Sequence, residues 1–284
     1  MSNHIYENLR VGFIGAGSIT EAMIAGLTKG RVIPPRNISV VNRSNHNRLK
    51  ELEELYQLSP HSHDEQAILE SDVIVLAIKP NVASQVLQVW GQKFRENQLI
   101  LSVIAGVSTE QIEMACSQRV AVVRTMPNTS AAVGRSATAI CPGRYVKEDH
   151  FSISTTILEA IGIVLEVQES QMDAVTGLAG SGPAYFYYMV EAMQKAGVYV
   201  GLESDIARQF IIQTCIGAAE MLLHTEKEPS RLREEVTSEG GTTFAGLTTL
   251  REFHFEEAIC EAITKATERS QELGKPTDYL SSRC

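Results

Sequence analysis

Val11-Gly12-Phe13-Ile14 runs directly into Gly15-Ala16-Gly17, and behind that turn Ile19, Met23, Ile24 and Leu27 recur at helical spacing. An apolar strand that passes through two glycines into an amphipathic helix is the first half of a βαβ unit, which commits the chain to a parallel sheet with helices on its faces. Further apolar, β-branched runs occupy residues 38–41, 73–78, 99–104, 120–123, 137–140 and 163–167. Runs without polar alternation belong to parallel strands buried on both faces. With the helical pattern Leu49, Leu52, Leu55 and a helical segment at 82–94 between them, they predict an α/β fold. Its first domain, residues 1–168, is a Rossmann-type, mostly parallel, doubly wound sheet of about seven or eight strands.

The pattern changes after Gln168. Residues 183–196, 204–223, 231–236 and 253–273 have long helical periodicity and few alternating β-branched runs, so residues 169–284 read as an all-helical domain. Several of these helices are apolar nearly all round and carry small residues, as at Ile216-Gly217-Ala218-Ala219. Such faces are buried either within the chain's own bundle or against a second copy, and the second reading makes this a dimerisation domain.

The 284 residues carry a net charge of −9 and no run of Lys or Arg, which argues against nucleic acid as a partner. Cys116, Cys141, Cys215, Cys260 and Cys284 are scattered with no metal-ligand spacing, as expected of reduced thiols and no metal site. The opening residues MSNHIYENLR lack the apolar core of a secretory signal, and the apolar stretches 73–78 and 99–107 fall short of the ~20 residues of a membrane span. A cytoplasmic protein without a membrane partner is expected.

Gly15-Ala16-Gly17-Ser18-Ile19-Thr20 matches the GxGxx turn of dinucleotide sites, with Thr20 where Gly or Ala is usual. The first glycine permits the tight turn and the second lets the backbone approach a pyrophosphate at the helix start. The end of the second strand selects the cofactor. An Asp or Glu there would bind the ribose hydroxyls of NADH, but the chain has Asn42-Arg43-Ser44. A cation with two donors suits a 2′-phosphate and favours NADPH, with NADH possible but less favoured; the other reading of Arg43 is a solvated surface residue. Ala77-Ile78-Lys79-Pro80 is expected at the end of the fourth strand, on the same crevice, where Lys79 either reaches the nucleotide or is solvated.

Four more segments make the pattern specific: Ser102-Val103-Ile104-Ala105-Gly106-Val107, Arg124-Thr125-Met126-Pro127-Asn128-Thr129, Gly177-Leu178-Ala179-Gly180-Ser181-Gly182-Pro183-Ala184-Tyr185 and Val236-Thr237-Ser238-Glu239-Gly240-Gly241-Thr242-Thr243. In this order, over nearly the whole chain, they resemble the pyrroline-5-carboxylate reductase family, which makes proline with a nicotinamide cofactor. The resemblance implies a helical domain that interleaves into homodimers or larger homo-oligomers. It implies cofactor contacts at Gly15, Ala16, Gly17, Ser18, Ile19, Thr20, Asn42, Arg43, Ser44, Ala77, Ile78, Lys79, Pro80 and Ala105, and substrate contacts at Ser238, Gly240, Gly241, Thr242 and Thr243. Glu239 stands where the family usually has Pro, and Glu235 where Asp or Asn is common. A carboxylate beside an anion-binding turn opposes substrate binding unless it points outward.

Without the family, the segment 238–243 reads as an anion nest, because two glycines allow consecutive N–H groups to converge on a carboxylate. A Gly-rich helix cap is the alternative. Ser181 is an expected N-cap, with Pro183 in the first turn behind it. Related β-hydroxyacid dehydrogenases carry a lysine and an asparagine six and ten residues after Gly180; here those positions hold Phe186 and Val190, which disfavours alcohol oxidation. None of the seven His falls in a motif. A protonated cyclic imine is already electrophilic and needs orientation more than a base, so Thr243 is the expected catalytic residue, its hydroxyl meeting the ring nitrogen. The rival readings are a reductase of another cyclic imine or small carbonyl, and a catalytically silent regulatory paralogue that binds dinucleotide. If Arg43 meets the 2′-phosphate, Arg43→Asp will shift the ratio of kcat/KM toward NADH in steady-state assays at 340 nm, the nicotinamide absorbance. Equal use of both cofactors by the unmodified chain would remove that role.

Overall fold

The computed structural model describes residues 5–59 and 63–275; Cys284 lies outside them. Strands β1 (Val11–Ile14), β2 (Ile38–Val41), β3 (Val73–Leu76), β4 (Leu99–Ser102), β5 (Ala121–Met126), β6 (Ser136–Pro142) and β7 (Gly162–Glu166) form one sheet in the order β2-β1-β3-β4-β5-β6-β7. The first five strands are parallel; β6 pairs antiparallel with β5, and β7 parallel with β6. Between them come α1 (Ser18–Lys29), α2 (His46–Tyr56), α3 (Glu65–Leu69), α4 (Pro80–Trp90), α5 (Thr109–Ala115) and α6 (Glu148–Glu159).

Alternation along the strands builds two apolar layers. Phe13, Val75, Leu101 and Val123 face one side with Met23 and Leu27 of α1, Leu52 of α2 and Ile157 of α6. Ile14, Ile74, Leu76, Ile100 and Val122 face the other with Ile68 of α3, Leu87 of α4 and Ile112 of α5. Helices on both faces explain why β1 and β3 carry no polar side chain and β4 only Ser102.

After β7 come α7 (Met172–Val175), a π-turn at Thr176–Gly180, α8 (Gly182–Tyr199), α9 (Ser204–Thr225), α10 (Pro229–Glu235), α11 (Thr242–Glu252) and α12 (Phe255–Leu273). By contacts the chain forms two compact units, one of residues 1–181 with 265–284 and one of Gly182–Thr264. The second is helical, and inside it α8 and α9 approach closely: a Cβ on Gly197 would stand 2.9 Å from that of Ala207.

Three expectations change. Ala77 to Pro80 follow the third strand in the chain, not the fourth, since the segment between β2 and β3 is helical. Thr242–Glu252 is a helix that the periodicity reading missed, because four Thr and Gly246 dilute its apolar positions. Ser181 is not an extended N-cap: its φ of −84° and ψ of −18° are helical, and its N–H donates to the Thr176 carbonyl at 2.9 Å, closing the π-turn.

Both chain segments at the edge of the first unit are fastened by Arg124 of β5, which is 3% exposed. Its guanidinium pairs with Glu169 and, at 3.1 Å, with Asp173. Asp173 also accepts from Ser270 Oγ of α12 at 2.7 Å, and Glu169 accepts from Thr109 Oγ1 at 2.8 Å. Glu169 also faces Cys141, whose thiol burial and this charge push up to about 11. Removing the cation leaves two acids facing each other, so Arg124→Met is expected to cost about 2–4 kcal/mol, less than a fully buried pair because Glu169 stays partly solvated. Urea denaturation followed by circular dichroism checks this; a loss below about 0.5 kcal/mol, the usual scale of a surface change, would show that the pair is idle.

Candidate functional site

The strand ends of β2, β1, β3 and β4 lie side by side, and the segments that follow them form one crevice edge. At the switch between β1 and β3 the backbones nearly touch. Gly15 has φ +111°, and a Cβ there would lie 2.1 Å from the Ala77 carbonyl oxygen and 3.4 Å from Ile78 Cγ2, so only glycine fits. Gly15 N–H donates to Val41 O at 2.8 Å and Ala77 N–H to Ile14 O at 2.9 Å, locking three strand ends together.

Gly17 is the N-cap of α1 and offers no side chain to it, so the N–H groups of Ser18 and Ile19 are directed out of the helix start. A Cβ at Gly17 would meet nothing within 4 Å, which leaves room for a bulky anion. By contrast α2 and α5 are capped by the side chains of Asn45 and Ser108. Thr20, the departure from the usual turn, is fully buried, and its hydroxyl donates to Gly15 O at 2.8 Å, so its part is to close the turn.

After β2, Asn42 Oδ1 accepts from Ser44 N–H at 3.4 Å, and Arg43 is exposed with no ion pair among the described residues. Lys79, the N-cap of α4 before Pro80, is exposed in the same way. Two uncommitted cations thus flank the turn in an acidic protein. Ala105 is half-buried in the turn after β4.

A cavity of about 280 Å³ opens beside the glycine turn, lined by Ser18, Ile19, Val103, Met126, Asn128 and Gly180 among others. Its wall is mostly apolar. Val103, Met126, Asn128 and Gly180 stand in motifs whose expected roles fell on Ala105, as a cofactor contact, and on Ser181 and Pro183, as a helix start. Their signal was three motifs ending at one sheet edge. Asn128 Nδ2 donates to Ala179 O at 3.1 Å, and a Cβ on Gly180 would press on Met126 at 2.8 Å. A larger cavity of about 500 Å³, lined by Glu96, Glu113, Cys116 and Arg119 among others, lies by the loops that enter β4 and β5 and holds none of the motif residues.

In the helical unit, Gly241 is the N-cap of α11, and Thr242 and Thr243 are its first two residues. Gly240 has φ +69°, and a Cβ on Gly241 would stand 2.5 Å from Ser238 Oγ. Gly241 N–H donates to Ser238 O at 3.0 Å. The nest and the helix cap are therefore one structure: the cap has no side-chain partner, so the first N–H groups of α11 stay available. Thr248 and Thr249 return their hydroxyls to carbonyls one turn back, at 2.9 and 3.2 Å. Thr242 and Thr243, in the first turn, have no helical carbonyl four residues behind them and are exposed.

Glu235 turns out not to burden this turn. Lys227 Nζ donates to both its oxygens at 2.9 and 3.0 Å, Arg231 Nε approaches at 3.3 Å, and the Lys227 bond first of all holds its pKa below the usual range. Glu239 is exposed.

Comparison with known proteins places these features. Residues 169–273 match the family model described as pyrroline-5-carboxylate reductase dimerisation, and residues 10–106 match one described as NADP oxidoreductase coenzyme F420-dependent. Pyrroline-5-carboxylate reductase 1 of Bacillus subtilis is 45% identical over 278 residues, 98% of this chain and 94% of its own. A pyrroline-5-carboxylate reductase structure from Coxiella burnetii superposes with a TM-score of 0.84 at 33% identity, covering 94% of this chain and 99% of that one. One from Plasmodium falciparum, with NADP bound, gives 0.82 at 26% identity, covering 94% and 99%. A glycine turn at a sheet switch point, a second glycine-led helix start without a side-chain cap and matches over nearly the full length of these relatives make the chain a member of the pyrroline-5-carboxylate reductase family.

Proposed function

We propose that this chain reduces 1-pyrroline-5-carboxylate to L-proline with NADPH as cofactor. The observation that carries the reading is the presence, in one family member, of two uncapped glycine-led helix starts: one beside uncommitted cations and an apolar cavity, the other beside free hydroxyls. NADPH, when bound, supplies the hydride.

The chain's own residues bind and orient. The Gly15 to Thr20 turn takes the pyrophosphate through the N–H groups that open α1, Asn42, Arg43 and Ser44 take the 2′-phosphate, and Ala77, Ile78, Lys79, Pro80 and Ala105 the rest of the nucleotide edge. The Ser238 to Thr243 turn takes the substrate carboxylate through backbone N–H groups, with Ser238, Gly240, Gly241 and Thr242 shaping it. Thr243 Oγ1 accepts from the protonated ring nitrogen and fixes the face that receives hydride. The Cys116 and Cys141 thiols offer no acid or base here, since burial pushes both up to about 11. In this reading residues 1–168 serve the dinucleotide and 169–284 serve substrate and assembly.

The helical unit supports a homo-oligomer. Tyr188, Tyr199, Phe210 and Leu223 are 65–92% exposed, an apolar surface that a soluble protein covers. Helix α9, Ser204–Thr225, is also long and apolar enough by composition to cross a membrane, with mean hydropathy 1.2. The family's dimerisation model spans it, which favours a second copy over lipid as its cover and a cytoplasmic location.

Two measurements test these assignments. Thr243→Val keeps the shape and loses the acceptor, so kcat/KM for the imine should fall roughly ten- to 150-fold, as for a hydrogen bond to a charged group, with NADPH affinity unchanged. Loss in Thr242→Val instead would move the contact by one residue, and full activity in both with every imine would dismiss the turn as the substrate site. Light scattering should give a dimer or larger for the full chain, and Phe210→Asp should dissociate it; a monodisperse monomer at micromolar concentration would exclude the interface.

A further inference from the structure

Glu21 lies in the first turn of α1, the helix whose start is proposed to bind pyrophosphate. Side chains on a helix lean toward its N-terminus, so this carboxylate reaches back toward the anion it would repel. It is a local conflict, and the structure holds its resolution. Arg48 of α2 places NH2 against Glu21 Oε2, NH1 against Glu51 Oε2 at 2.8 Å, and Nε toward the Ala16 carbonyl at 3.3 Å. The Tyr56 hydroxyl donates to Glu21 Oε1 at 3.2 Å. Arg48 is 19% exposed and Glu21 32%, so the pair is only partly screened by water. With its nitrogens committed in three directions, this guanidinium is not available to grip phosphate itself.

We infer that Arg48 is a positioning residue for the dinucleotide: it masks the Glu21 charge and ties the first turn of α2, next to Asn42-Arg43-Ser44, to the glycine turn of α1. The inference rests on the dinucleotide reading of the Gly15 to Thr20 turn. It separates two roles that the sequence leaves merged. Arg43, exposed and unpaired, discriminates between cofactors, whereas Arg48 supports both equally, because the pyrophosphate is common to NADPH and NADH.

Direct titration of the full chain with each cofactor, by quenching of Trp90 and Tyr fluorescence or by calorimetry, tests this independently of turnover. Arg48→Met should weaken NADPH and NADH alike by about tenfold, the scale of one uncompensated charge near a bound anion. The loss should shrink as salt rises from 0.05 to about 0.5 M, over which the Debye length shortens severalfold. KM for the imine at saturating cofactor should stay unchanged. The double variant Arg48→Met/Glu21→Gln should recover most of the affinity, which a purely structural role of Arg48 would not allow. Arg48→Lys, which retains a cation for Glu21, should lie between Arg48→Met and the unmodified chain, and it serves if Arg48→Met does not fold. Unchanged affinity in Arg48→Met, no recovery in the double variant, or a loss confined to NADPH would each overturn the inference, the last by making Arg48 a 2′-phosphate ligand. An unmodified chain that binds neither cofactor would overturn the dinucleotide reading itself.

Discussion

Arg124 is where the first unit is closed. A guanidinium 3% exposed in the middle of a β-strand is costly to bury, and burial is tolerable only because acids meet it from two sides. Those acids, Glu169 and Asp173, stand on the segment by which the chain leaves the sheet, and Asp173 also holds Ser270, on the helix by which it returns. Thr109 joins the same cluster from the start of α5. The interaction thus fastens residues 169–173 and the end of α12 to one point on β5, and the loops that carry the candidate cleft, from Met126 to Asn128, begin where that strand ends.

Much of the α/β unit was legible because its strands are buried on both faces. Residues 73–76 and 99–101 leave no polar position to confuse the period. The glycine turn was legible because Gly15 performs a steric task no other residue can. What was not legible is long-range. Arg124 meets partners 45 and 49 positions away, and Ser270 meets Asp173 across 97, and no local period announces such pairs. Helix α11 was hidden by its Thr content, although Phe244, Leu247 and Leu250 recur three apart. The π-turn at Thr176–Gly180 was hidden behind the Ser181-Gly182-Pro183 helix start, since a Ser-Gly-Pro sequence looks like a cap whether or not the preceding turn is already wound.

Both candidate anion turns have acids close in sequence, and the structure treats them alike. Glu21 is engaged by Arg48 and Tyr56, and Glu235 by Lys227 and Arg231. A protein with net charge −9 can present positive ends to anions where Glu21 and Glu235 are paired locally, Glu239 is exposed to water, and Arg43 and Lys79 have no ion pair among the described residues. Charge at such a site is therefore a matter of which acids are neutralised, more than of how many cations are present.

The end of α12 carries one further implication, for the order in which the protein is made. The Gln111 side chain donates to the Gly274 carbonyl at 2.8 Å, and Gly106 and Gly274 approach so closely that a Cβ on the latter would lie 1.9 Å from the Gly106 oxygen. The sheet-bearing unit is thus completed by residues that follow the whole helical unit in the chain. A ribosome extends the chain from its N-terminus at a pace of about 5–20 residues per second. Emerging strands must therefore wait, with the groove beside α5 unfilled, while the whole helical unit is synthesised. Final closure of the sheet-bearing unit therefore follows synthesis of the helical unit instead of accompanying that of its own strands.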